Sequence, residues 1–104
     1  MVDVANPVRG EASVRVAGET LVLRPSFGAL VAAEGELGPL LALVERAGEG
    51  KLALSEVVGL FWHCLRDRPD GVTRETLGEA VVECGLQAAM PALRVLLGQI
   101  VLGR

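Results

Sequence analysis

Helix and strand breakers recur at short intervals after Arg24. Pro25-Ser26, Gly38-Pro39, Gly48 with Gly50, Arg68-Pro69-Asp70-Gly71 and Gly85 divide the last eighty residues into five pieces, none longer than nineteen. Proline lacks the amide proton that a ladder or helix needs, and glycine takes the left-handed conformation that ends helices. A chain punctuated in this way can form only short helices, so its core must come from several of them packed together.

The pieces between breakers carry helical spacing. Ser26 can cap FGALVAAEGEL, which predicts a first helix over roughly Phe27 to Glu36. In the next piece Leu40, Leu43, Val44 and Ala47 recur at three and four residues, which predicts a helix from about Pro39 to Ala47. Ser55 is placed to cap EVVGLFWHCLRD and Thr73 to cap a fourth helix, with Leu77, Ala80, Val81 and Cys84 on one stripe and Gly85 at its end. That stripe makes Cys84 a core residue. Leu93, Leu96, Leu97 and Ile100 follow the same rule in a last helix, whose first turn suits Pro91.

Upstream, Glu11–Val16 and Thr20–Arg24 alternate apolar and polar residues around a Gly18-Glu19 pair of the kind found in type II' turns. A β-hairpin is expected over residues 11–24 and a helical part over 26–102. The fold class is therefore α+β and mainly α, an N-terminal hairpin followed by four or five short helices in a single domain, 1–104. An isolated hairpin is marginal, so its apolar face must lie against the helices.

Half the residues, 51%, are hydrophobic, and the mean hydropathy of +0.46 is high for so short a chain. Apolar surface left over after folding points to a partner or to self-association. The longest apolar runs fall short of the roughly 18 residues of a spanning helix, and MVDVANPVRGEAS offers no export signal. A cytoplasmic protein is expected, without membrane contact. Ten Lys and Arg against thirteen Asp and Glu give a net charge of −3, which opposes nucleic-acid binding. Cys64 and Cys84 read as free buried thiols.

Chemistry is concentrated, if anywhere, in Phe61-Trp62-His63-Cys64. Successive helical residues point about 100° apart, so thiol and imidazole do not converge as a nucleophilic pair requires. His63 instead falls one turn from Asp67, as a surface pair, while Phe61 and Leu65 anchor the core. One His without a CxxC pattern cannot assemble a zinc site. Setting Gly71 at the invariant glycine of a calcium loop puts Arg66, Arg68 and Leu77 at ligand positions, and no phosphate-binding glycine motif occurs. No catalytic residue, cofactor or metal is expected. An enzyme using Cys64 is the remote alternative.

The order of segments, a hairpin and then LRPSFGALVAAEGELGPLLALVERA, LSEVVGLFWHCL and VTRETLGEAVVECGLQAAMPALRVLLGQI, resembles the gene transfer agent family of small phage-tail proteins. The likeness runs from Asn6 to Leu102 and is to that family's tail assembly chaperone. It implies a protein encoded beside the tape-measure gene that coats the tape-measure protein before tail tube subunits polymerise, with the tail tube protein as a further partner. The alternative implied is a tail tube component. From the residues alone, Trp62, Leu93, Leu96, Leu97 and Ile100 are the candidates for partner contact, with a core role preferred for each.

Overall fold

A computed structural model of the chain describes residues 11–16 and 18–103. Met1–Gly10, on which the expectation about an export signal rests, lies outside the described residues. Two strands, β1 (Ala12–Val16) and β2 (Glu19–Leu23), precede five helices: α1 (Phe27–Leu37), α2 (Leu40–Gly48), α3 (Leu54–Cys64), α4 (Arg74–Cys84) and α5 (Leu86–Leu102). The α+β, mainly α class expected from the punctuation is the class observed.

The hairpin is antiparallel, with Ala12 opposite Leu23 and Val16 opposite Glu19. Gly18, with φ 82°, therefore lies in the connection, before the first paired residue of β2. The expected type II' arrangement, with Gly18 first and Glu19 second, is corrected: Glu19 already belongs to β2. Leu23 also bridges Leu65; the Arg24 N–H donates to the Cys64 carbonyl at 2.6 Å and the Arg66 N–H to Val22 at 3.0 Å. The chain leaving α3 thus closes the free edge of β2, where an unpaired strand would invite other chains. Val22, placed by alternation on the outer face, is buried and shares a crevice with Arg66, Asp67 and Pro69.

Capping explains most helix boundaries. Ser26 Oγ accepts from the Ala29 N–H at 3.2 Å, and Gly38 with φ 88° ends α1 by donating to Glu34. Thr73 and Thr76 cap α4 reciprocally. At α3 the expectation fails: the cap position is Ala53, not Ser55. Glu56 supplies the missing acceptor, taking the Ala53 N–H at 3.0 Å while Arg46 of α2 donates to the same carboxylate at 2.6 Å. The helix also stops at Cys64, three residues before Asp67, because Leu65 turns extended (φ −58°, ψ 121°) to reach β2.

Pro91 is the second departure. It sits inside α5 as the sixth helical residue, not in the first turn, because Gly85 (φ 88°) already forms the break and α5 starts directly after it. Between them α4 and α5 turn through 117°. No single helix among the described residues is long and apolar enough to cross a membrane.

α3 is the central element. Val57, Val58, Gly59, Leu60, Phe61 and Cys64 are all buried, and one hydrophobic cluster joins all of these but Gly59 to Leu23, Ala33, Leu43, Leu77, Val81 and Leu96. Burial on this scale, at roughly 25 cal/mol per Å² of apolar surface, is the main term holding such a fold together. Gly59 has a particular reason to be glycine. A Cβ there would lie 2.7 Å from Arg74 Nη2 and 3.2 Å from Leu37 Cδ2, so the absence of a side chain lets α1 and α4 close over α3.

Candidate protein-binding surface

The helices leave an apolar groove of about 430 Å³ between α2, the 48–52 loop, the start of α3 and α5. Val44 and Ala47 face it from α2, Leu52 and Val57 from the loop and α3, and Leu86, Ala89, Met90, Leu93 and Leu97 from α5. These α5 positions recur at three and four residues, which is why one helix can form a continuous wall. Arg94 lines the groove and is exposed, and no ion pair to it occurs among the described residues. An apolar trough with a cation on its rim can receive the apolar face of a helix that carries an acidic residue.

Of the five residues predicted for partner contact, the fold brings two into this groove. Leu93 is its buried floor and Leu97 its half-buried wall. Leu96 is fully buried in the core, the role preferred for it, and Ile100 is half-buried farther along α5. Trp62 lies elsewhere, half-buried at the end of α3, with the Arg68 guanidinium 4.2 Å above its ring. Arg68 Nη2 also donates to the Trp62 carbonyl at 3.3 Å.

Other apolar residues are more exposed than any of these five. Phe27 is 85% exposed, Leu41 69% and Leu86 50%. Sequence reasoning passed over Phe27 because the two carboxylates of FGALVAAEGEL, Glu34 and Glu36, fall on different sides of the helix and mark no preferred inward face. It passed over Leu86 and Met90 because α5 was expected to start near Pro91. A signal existed in the second case, since Gly85 marks a start as well as a stop.

The fold also separates the residues that could have done chemistry. His63 Nε2 donates to Glu36 Oε1 at 2.9 Å, so the expected His63–Asp67 pair does not form; Asp67 faces Arg66 instead. The shortened α3 is the cause. Cys64 is buried, and burial pushes its thiol up to about 12, which keeps it protonated and unreactive. Cys84 is exposed, not core: it is the last residue of α4, and α5 turns away immediately beyond it. Arginines that look scattered in the sequence are gathered by the Leu23–Leu65 bridge, which sets Arg24, Arg66 and Arg68 around one cleft. Arg24 there is paired with the buried Glu11 at 2.7 Å. Among the described residues, no group of three or more His, Cys, Asp and Glu lies close enough to hold a metal ion.

No curated protein and no solved structure matches the chain. Residues 9–103 match the family described as phage tail tube protein, GTA-gp10. The match carries the phage-tail part of the sequence resemblance, and its description names a tube protein where the resemblance had implied an assembly chaperone. Because it spans nearly the whole chain, hairpin and helices included, the chain belongs to the phage tail tube protein, GTA-gp10, family and is a phage-like tail protein.

Proposed function

We propose that the chain is a structural component of the tail tube of a phage-like particle, acting through protein–protein contacts. The observation that carries this reading is the family match over residues 9–103. It is supported by the surface: the apolar groove and the exposed Phe27, Leu41 and Leu86 give a small protein more partner-binding area than a free monomer needs. Deleting the gene from a producing strain and imaging the particles tests it. Tube-less heads, restored to tailed particles by the wild-type gene, are the expected result, with the chain present in the restored tails.

One structural observation favours a second reading, that of a tail assembly chaperone for the tape-measure protein. The described residues contain a single two-stranded sheet, whereas tube walls are ordinarily built from extended β-sheet. A groove between helices suits a helical client. Under this reading co-expression with the tape-measure protein keeps that client soluble and co-purifies with it, and finished tails lack the chain.

A further inference from the structure

The groove has a counterpart on the same chain. Phe27, Val31 and Glu34 stand at i, i+4 and i+7 of α1, on one stripe. Phe27 is 85% and Val31 51% exposed, and Glu34 is exposed as well. The stripe is about 10 Å long at 1.5 Å per residue, against about 16 Å of groove wall between Leu86 and Leu97 on α5. Its order, two apolar residues and then a carboxylate, matches an apolar groove edged by Arg94, which no carboxylate pairs with among the described residues. One oxygen of Glu34 accepts the Leu40 N–H at 3.1 Å, which fixes the side chain at the end of the stripe and leaves its second oxygen for an outside donor.

We propose that the groove of one copy of this chain receives the α1 stripe of a second copy, with Phe27 and Val31 against Leu86, Met90 and Leu97 and with Glu34 facing Arg94. Stripe and groove are different surfaces, so the contact is head-to-tail. Every open assembly keeps a free stripe at one end and a free groove at the other, and such contacts close into rings or continue as filaments. The inference deepens the tail-tube reading and rests on it for its place in the particle. Its test reads only self-association, so either can fail without the other.

Phe27→Asp and Leu86→Glu are suited to that test, because both residues are exposed first-turn positions where an acidic side chain favours the helix. Sedimentation equilibrium of the wild-type chain should show mass rising with concentration, and each variant alone should remain a monomer with unchanged circular dichroism. Mixing the two variants decides the geometry. Phe27→Asp keeps a working groove and Leu86→Glu a working stripe, so the mixture should form a two-subunit species and go no further. Arg94→Glu should weaken association about tenfold, the effect of a single charge pair worth about 1.4 kcal/mol, and adding Glu34→Arg to the same chain should restore it. A wild-type chain that stays monomeric up to about 1 mM, the weak limit of a specific contact, overturns the proposal. So does association that survives either single variant, or a mixture that stays monomeric.

Discussion

Arg74 Nη1 of α4 donates to Glu36 Oε1 of α1 at 2.7 Å, and Nη2 of the same guanidinium holds the second carboxylate oxygen. The fork passes over Gly59 of α3, where any side chain would meet Arg74. His63, one turn farther along α3, donates to the same carboxylate. Three helices are tied at one anion, and the pairing is bidentate, the arrangement that gives an Arg–carboxylate contact its directionality.

Acid should loosen this tie first. The Arg74 and His63 hydrogen bonds hold the Glu36 carboxyl down at about 2, below its ordinary 4.5. A carboxylate whose folded value is lowered contributes stability in full above the unfolded value, and the contribution is lost as pH falls from about 4.5 toward 2. Urea unfolding at a series of pH values should therefore show a decline over that window. Glu36→Gln should be less stable at neutral pH and show a shallower decline; an unchanged acid slope would contradict the assignment. Glu56, lowered by the Ala53 N–H and by Arg46, contributes in the same direction and persists in the variant.

Phe61 is fully buried at the centre of α3. Phe61→Ala should destabilise the fold by about 3 to 5 kcal/mol, from lost transfer energy and the cavity left behind. Chemical denaturation measures this directly. A loss under about 1 kcal/mol would mean that the site collapses without a cavity or that Phe61 is not enclosed.

The two thiols should behave differently. Cys84 is exposed and Cys64 buried, with the Cys64 thiol pushed up to about 12. A thiol reagent at neutral pH should label Cys84 alone in the folded protein and both after denaturation. Rapid native labelling of Cys64, read by peptide mass, would show that α3 is less enclosed than described.

Pro91 interrupts the hydrogen-bond ladder of α5 at an exposed position. Proline costs about 3 kcal/mol relative to alanine in a helix interior. Pro91→Ala should raise stability by about 1 to 3 kcal/mol, because alanine restores an N–H that can donate to the Gln87 carbonyl and removes the ring that crowds it. A rise in Tm checks it, and a fall would show that the proline ring itself packs.

Much of the fold is legible in the punctuation, because breakers and caps act locally. Ser26 and Thr73 bound their helices through their own hydroxyls, and Gly38 and Gly85 through positive φ, all within a few residues of the chain. The misplacements share a different cause. Ser55 loses the α3 cap to Glu56, which is held by Arg46 from another helix. His63 loses Asp67 because Leu65 leaves the helix to pair with Leu23. Cys84 follows the apolar stripe, yet α5 bends away before covering it. Each depends on contacts between elements remote in sequence, which periodicity does not contain. The groove was half legible for the same reason: Leu93 and Leu97 follow from α5's own spacing, and Leu86 from the Gly85 break, while the α2 wall requires knowing which helices meet.

The most direct test of the tail-tube account is the copy number of this chain in purified tailed particles, by quantitative mass spectrometry against the capsid protein. The account predicts many copies per tail, in a fixed ratio to tail length. Finished tails without the chain, from cells in which it is abundant and bound to the tape-measure protein, would contradict it and establish the assembly chaperone in its place.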